Sequence, residues 1–118
     1  MGLAREEEVE IRSAPVFKPG ERVVARRLVK NDGTYPRKDI GEPLVMKGDV
    51  GYVRDIGTFL QMFWIYAVEW TERGTIVGMR GKELVSMDAE PEEAARYRAD
   101  AAARAARDAA HALGEAAE

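Results

Sequence analysis

The stretch Met62-Phe63-Trp64-Ile65-Tyr66-Ala67-Val68-Glu69-Trp70 constrains this chain more than any other, because it packs bulky apolar side chains into one short run. Aromatic and β-branched residues suit a pleated, half-buried surface, and successive side chains of a strand point to opposite faces. Trp64, Tyr66, Val68 and Trp70 therefore share one face, and Phe63, Ile65, Ala67 and Glu69 the other. Both faces are apolar where the strand starts. The strand is either buried between layers or leaves one face for a partner.

Glycine-centred turns divide the flanking sequence into further short strands. Pro19-Gly20 opens a first strand through Val23, Val24 and Ala25. Asn31-Asp32-Gly33-Thr34-Tyr35-Pro36 and Gly41-Glu42-Pro43 then bracket a long loop. Loops of that length are commonly functional. A second strand runs from about Asp49 to Ile56, opened by Gly48 and closed by Gly57, with Gly57 and Thr58 serving a tight bend. After the apolar strand, Glu72-Arg73-Gly74 turns the chain into Thr75-Ile76-Val77, and Arg80-Gly81-Lys82-Glu83-Leu84 reads as one helical turn before a last strand near Val85. The expectation is a mainly β domain over residues 15–88: a small SH3-like barrel of four to five short antiparallel strands, or a strongly bent antiparallel sheet if closure is incomplete.

The two ends differ from this centre. Residues 1–14 contain Arg5-Glu6-Glu7-Glu8 and little to bury, which predicts a flexible acidic leader. Residues 89–118 are rich in alanine, and Pro91 followed by Glu92 and Glu93 makes a good helix start. Tyr97 and Leu113 are the sizeable apolar side chains there, so the helix is expected to be solvated, with docking on a partner as the alternative. The pairs Glu92–Arg96 and Asp100–Arg104 have the spacing to support it.

Several function classes are excluded by what the sequence lacks. There is no cysteine, hence no disulfide, thiolate nucleophile or thiolate-held cluster. The one histidine, His111, lies in the alanine-rich tail and makes a poor metal site. No phosphate-binding loop, nucleophile elbow or metalloprotease motif is present. We therefore expect no catalytic residues, no metal and no cofactor. No apolar run approaches the roughly 20 residues needed to span a bilayer, which makes the cytoplasm the default location. Residues 15–90 carry a net charge of +1, between acidic arms of −2 each. Such a distribution argues against nucleic acid as a partner.

One set of segments is more specific than strand periodicity. It comprises Arg26-Arg27-Leu28-Val29-Lys30-Asn31-Asp32-Gly33-Thr34-Tyr35-Pro36, then Gly48-Asp49-Val50-Gly51-Tyr52-Val53, then Gly57-Thr58-Phe59-Leu60-Gln61 before Ile65-Tyr66-Ala67-Val68. This resembles the NifZ family over roughly residues 15–87. The family's usual pattern differs at Met62-Phe63, where polar residues are common, and at Met79, where a cysteine is often present.

The resemblance implies an accessory protein of nitrogen fixation: a chaperone-like factor in maturation of the nitrogenase molybdenum–iron protein and its P-cluster. Its implied partner is the immature molybdenum–iron protein, in concert with the iron protein. Lacking cysteine, the chain would act through its client's conformation, preferring the immature state. The candidate contact residues are Arg26, Arg27, Asn31, Asp32, Gly33, Thr34 and Tyr35 around the long loop, and Gly57, Thr58, Phe59, Leu60, Gln61 and Phe63 beside the apolar strand. Phe59 and Leu60 weigh slightly toward core, and Gln61 is the most attractive polar candidate. Two alternatives stand beside this reading. One is a small-barrel RNA-binding module using Arg26, Arg27, Lys30, Arg37 and Lys38 beside Tyr35. The other is a structural subunit resembling the small barrel of ferredoxin–thioredoxin reductase.

Overall fold

A computed structural model of the chain describes residues 9–117. Its strands are β1 (Arg22–Ala25), β2 (Val29–Lys30), β3 (Pro43–Val45), β4 (Val50–Phe59), β5 (Phe63–Trp70), β6 (Thr75–Met79) and β7 (Leu84–Ser86). Single 3-10 turns lie at Glu10–Arg12 and Gly81–Glu83, and one long helix, α1, spans Pro91–Ala117. Five strands form one antiparallel sheet in the order β6-β5-β4-β1-β7, while β2 and β3 pair separately. The protein is mainly β. Among the described residues, no pairing joins β6 to β7, so the sheet is open-edged.

β5 carries the core as its alternation requires: Tyr66, Val68 and Trp70 are buried, and Trp64 packs at their margin. β4 meets it through a bulge. Val53 pairs with Val68, but the next partner of Ala67 is Asp55, so Arg54 is the extra residue. A single inserted residue reverses the side-chain parity of everything beyond it. This shift lets both Val53 and Ile56 turn inward, three positions apart. Phe17, Val23, Ala25, Leu44, Val45, Met79 and Leu84 complete this cluster, with the Phe17 ring edge-on to Tyr66. Burial pushes the Tyr66 phenol up from its usual value, while its oxygen accepts the Val16 N–H at 2.9 Å.

Three expectations are corrected. β4 does not close at Gly57: Gly57 and Thr58 are strand residues opposite Ile65 and Trp64, and the chain turns at Leu60-Gln61 instead. The leader's residues 1–8 lie outside the described residues, but Val9–Ala14 does not behave as free leader. Glu10 N–H donates to the Met62 carbonyl at 2.7 Å, the Glu10 carboxylate accepts from Trp64 N–H, and the Trp64 indole donates to the Ser13 carbonyl.

The third correction concerns α1. Its first half is docked, with Ala94 and Ala101 buried and Tyr97 packed beside Val24, Val50 and Val85. The close approach is made at Gly48, where an added Cβ would sit 2.4 Å from the Tyr97 carbonyl oxygen and 2.7 Å from the Ala101 Cβ. Arg98 donates to the Gly48 carbonyl and Arg104 to that of Lys47. The expected pairs within the helix are replaced by Glu93–Arg96, Asp100–Lys47 and Arg104–Asp49. The first stays within the helix, while Lys47 and Asp49 of the β3–β4 connection bind the helix to the domain.

Candidate functional site

Apart from Arg26 and Arg27, which lie against Glu83, Leu84 and the start of α1, the candidate contact residues fall at two separate places. The Asn31–Glu42 loop leans on the Trp70–Thr75 end of the β5–β6 hairpin, because the Tyr35 hydroxyl accepts the Ile76 N–H at 3.2 Å. Ile76 lies opposite Glu69 of β5. The β4–β5 turn lies at the other end of β5, six residues back at Phe63, or roughly 20 Å along an extended strand. These are two surfaces.

In the first, Asn31 is a buried connector. Its amide nitrogen donates to the carbonyls of Tyr35, Lys38 and Asp39 at 3.2, 2.9 and 3.2 Å. Its amide oxygen accepts the Gly33 and Tyr35 N–H groups at 3.0 Å each. With 2% of its surface exposed, Asn31 shapes the loop from within. Asp32 is exposed, and bonds from the Thr34 hydroxyl and amide hold its carboxyl below the usual value. Gly33 adopts positive φ at 107°, joined by Arg37 at 68°. Arg26 is spent inside the fold: it donates to the Leu84 carbonyl, pairs with Glu93 and lies over the Tyr97 ring. Arg27 pairs with Glu83 and Lys38 with Glu42. These carboxylate partners reduce the basic path on which the RNA alternative relied.

The second surface is an exposed apolar tip. Phe59 is 55% and Leu60 69% exposed, against the expectation that both lean toward the core. Leu60 and Gln61 adopt φ of 55° and 54°, and the Met62 N–H donates back to the Phe59 carbonyl. Consecutive positive φ values are the preference of Asn-Gly in a two-residue hairpin turn. An ordinary L residue there costs about 1–2 kcal/mol. The base of the tip is braced: Arg80 places its guanidinium 3.9 Å from the centroid of the Phe63 ring and lies near Glu10. Glu10, Ser13 and Arg80 thus belong to this surface, though sequence reasoning passed over them. They are remote in the chain from Phe63, and no local pattern connects them.

The strain has a measurable consequence. Leu60→Asn combined with Gln61→Gly should raise stability by about 1–2 kcal/mol, seen as a higher urea midpoint at unchanged slope. An equal or lower midpoint would show that the tip is relaxed.

Among the described residues, no three His, Asp or Glu side chains converge as a metal site, and no helix is long and apolar enough to cross a membrane. The arrangement offers two contact surfaces.

Residues 14–86 match the family model described as the NifZ domain. A NifZ-named protein of Sinorhizobium fredii is 67% identical over 87 residues, covering 74% of this chain and 81% of that relative. Another from Rhodobacter capsulatus is 60% identical over 72 residues, covering 61% and 92%. Protein NifZ of Azotobacter vinelandii is 44% identical over 71 residues, which is 60% of this chain and 45% of that longer relative. No solved structure matches the chain.

Proposed function

This chain belongs to the NifZ family of nitrogen-fixation accessory proteins, and we propose that it acts as a chaperone-like factor for the immature molybdenum–iron protein and its P-cluster. The observation that carries this reading is the hairpin tip. An apolar finger that is strained, exposed and braced at its base is costly to keep unless it meets something. A protein client supplies the apolar surface that Phe59 and Leu60 lack. The role is binding, because a chain without cysteine has no thiolate with which to hold a cluster. The open-edged sheet is read, on the family resemblance, as an incompletely closed SH3-like barrel acting in the cytoplasm.

Selective binding shifts a client's population only by the difference in affinity between its states. Tagged protein should retain the immature molybdenum–iron protein roughly tenfold more tightly than the assembled one at physiological salt. Leu60→Asp should abolish retention while leaving circular dichroism unchanged. Equal retention of both forms, or none of either, would defeat the proposal.

A further inference from the structure

The β6 edge holds a second binding feature that the hairpin tip does not use. In antiparallel pairing, neighbouring residues alternate between backbone groups aimed at the partner strand and groups aimed away. The Ile76 N–H is bonded to the Tyr35 hydroxyl and so points away from β5, and two residues on, Gly78 must do the same. Ile76 is 54% exposed, Gly78 is exposed, and Gly78 makes no backbone bond outside the strand ladder among the described residues. Unpaired edge groups are a template for another strand.

A groove of about 610 Å³, lined by Tyr35, Pro36, Arg37, Lys38 and Gly74, shares Tyr35 with this edge and ends one residue before β6. Its charged lining is cationic, with Lys38 also 3.4 Å from Glu42. An extended backbone satisfies the edge, and carboxylates suit the groove.

We propose that β6 and this groove take an acidic, extended segment of a partner protein by strand addition. The segment displaces the Tyr35 hydroxyl from Ile76, pairs with the outward groups of Ile76 and Gly78, and places its carboxylates toward Arg37 and Lys38. Having no side chain, Gly78 lets the added backbone approach closely. This deepens the proposed function and rests on it only for the identity of the partner.

The test uses the full chain and a blocked peptide of alternating Glu and Val, followed by NMR. Amide shifts should move at Ile76, Gly78 and residues 35–38, and an alternating Lys and Val peptide should bind at least about fivefold more weakly. Gly78→Pro removes an outward N–H without touching the ladder to β5, and should weaken binding roughly tenfold. A Cβ at this position would lie 3.0 Å from Cγ2 of the half-buried Ile65, which must give by a few tenths of an ångström, so an unchanged circular dichroism spectrum of Gly78→Pro is required before its affinity is read. Tyr35→Phe, which uncaps Ile76, should tighten binding about threefold. Shifts confined to other regions, equal binding of both peptides, an unchanged Gly78→Pro affinity, or self-association through β6 would each overturn the proposal. Capture of the molybdenum–iron protein is scored separately. Peptide binding without capture removes the functional reading alone, and capture unaffected by Gly78→Pro removes this inference alone.

Discussion

Gly48→Ala is expected to cost about 2–5 kcal/mol of stability and to lift α1 from the sheet. Two independent terms add. The residue sits at φ +90°, where a side chain is strained by about 1–2 kcal/mol. The new methyl would also enter space already held by the Tyr97 carbonyl and Ala101, and overpacking of this kind costs about 1–3 kcal/mol. Neither neighbour is the flexible end of a long side chain, so the helix must move. Meanwhile, the Gly48 N–H is fixed by its 2.8 Å bond to the Ala25 carbonyl, which keeps the glycine itself in place. Urea unfolding reads the loss, and hydrogen exchange over residues 94–104 shows whether the helix has been released. A change under about 0.5 kcal/mol would mean that this contact does not hold the helix.

Asp49→Asn is expected to cost about 2–3 kcal/mol at low salt. The carboxylate, 13% exposed, accepts the Met46 N–H at 2.8 Å and two bonds from Arg73, and Arg104 of α1 stands 3.6 Å away. It joins a loop, a hairpin turn and a helix through one charge. The amide keeps the shape but leaves both guanidinium groups without their counter-ion. Part of the loss should disappear in high salt, since both arginines are partly exposed and screening weakens the native pairs. Combined with Gly48→Ala, the cost should fall short of additive, because a helix already displaced has lost its Asp49 contact. Full additivity would show that the two residues hold the helix independently.

Much of the sheet was legible from local pattern. The alternation of β5 gives the buried face of Tyr66, Val68 and Trp70 directly, and Glu72-Arg73-Gly74 reads as the turn it makes, with Gly74 at φ 70°. β2 and β3 escaped because two or three residues carry no periodicity. Gly57 misled because glycine marks turns more often than strands, whereas the true turn uses Leu60 and Gln61, residues without turn preference. The docked helix was invisible for a different reason. Apart from Tyr97, its closest packing is made by alanine, backbone and a glycine, and a search for a large apolar stripe passes over all three.

The candidate site was legible in outline and mistaken in detail. The Asn31–Tyr35 segment lies in a loop, and Gly57–Phe63 spans the end of β4, the Leu60–Met62 turn and the start of β5. What sequence cannot supply is which member faces outward: Asn31 is interior, Arg26 is tied to α1, and Phe59 is exposed. The β6 edge depends on strand order, a property of the whole chain.

The Asn31 amide also gives the loop a chemical vulnerability. Its nitrogen faces three carbonyl oxygens and its oxygen two N–H groups, so the position demands both polarities at once. Hydrolytic deamidation would set a carboxylate oxygen against those carbonyls, turning three attractions into repulsions without altering the side chain's size. The loop that covers the Ile76 edge would then open through ageing of a single bond, and the damage would register as one unit of added negative charge.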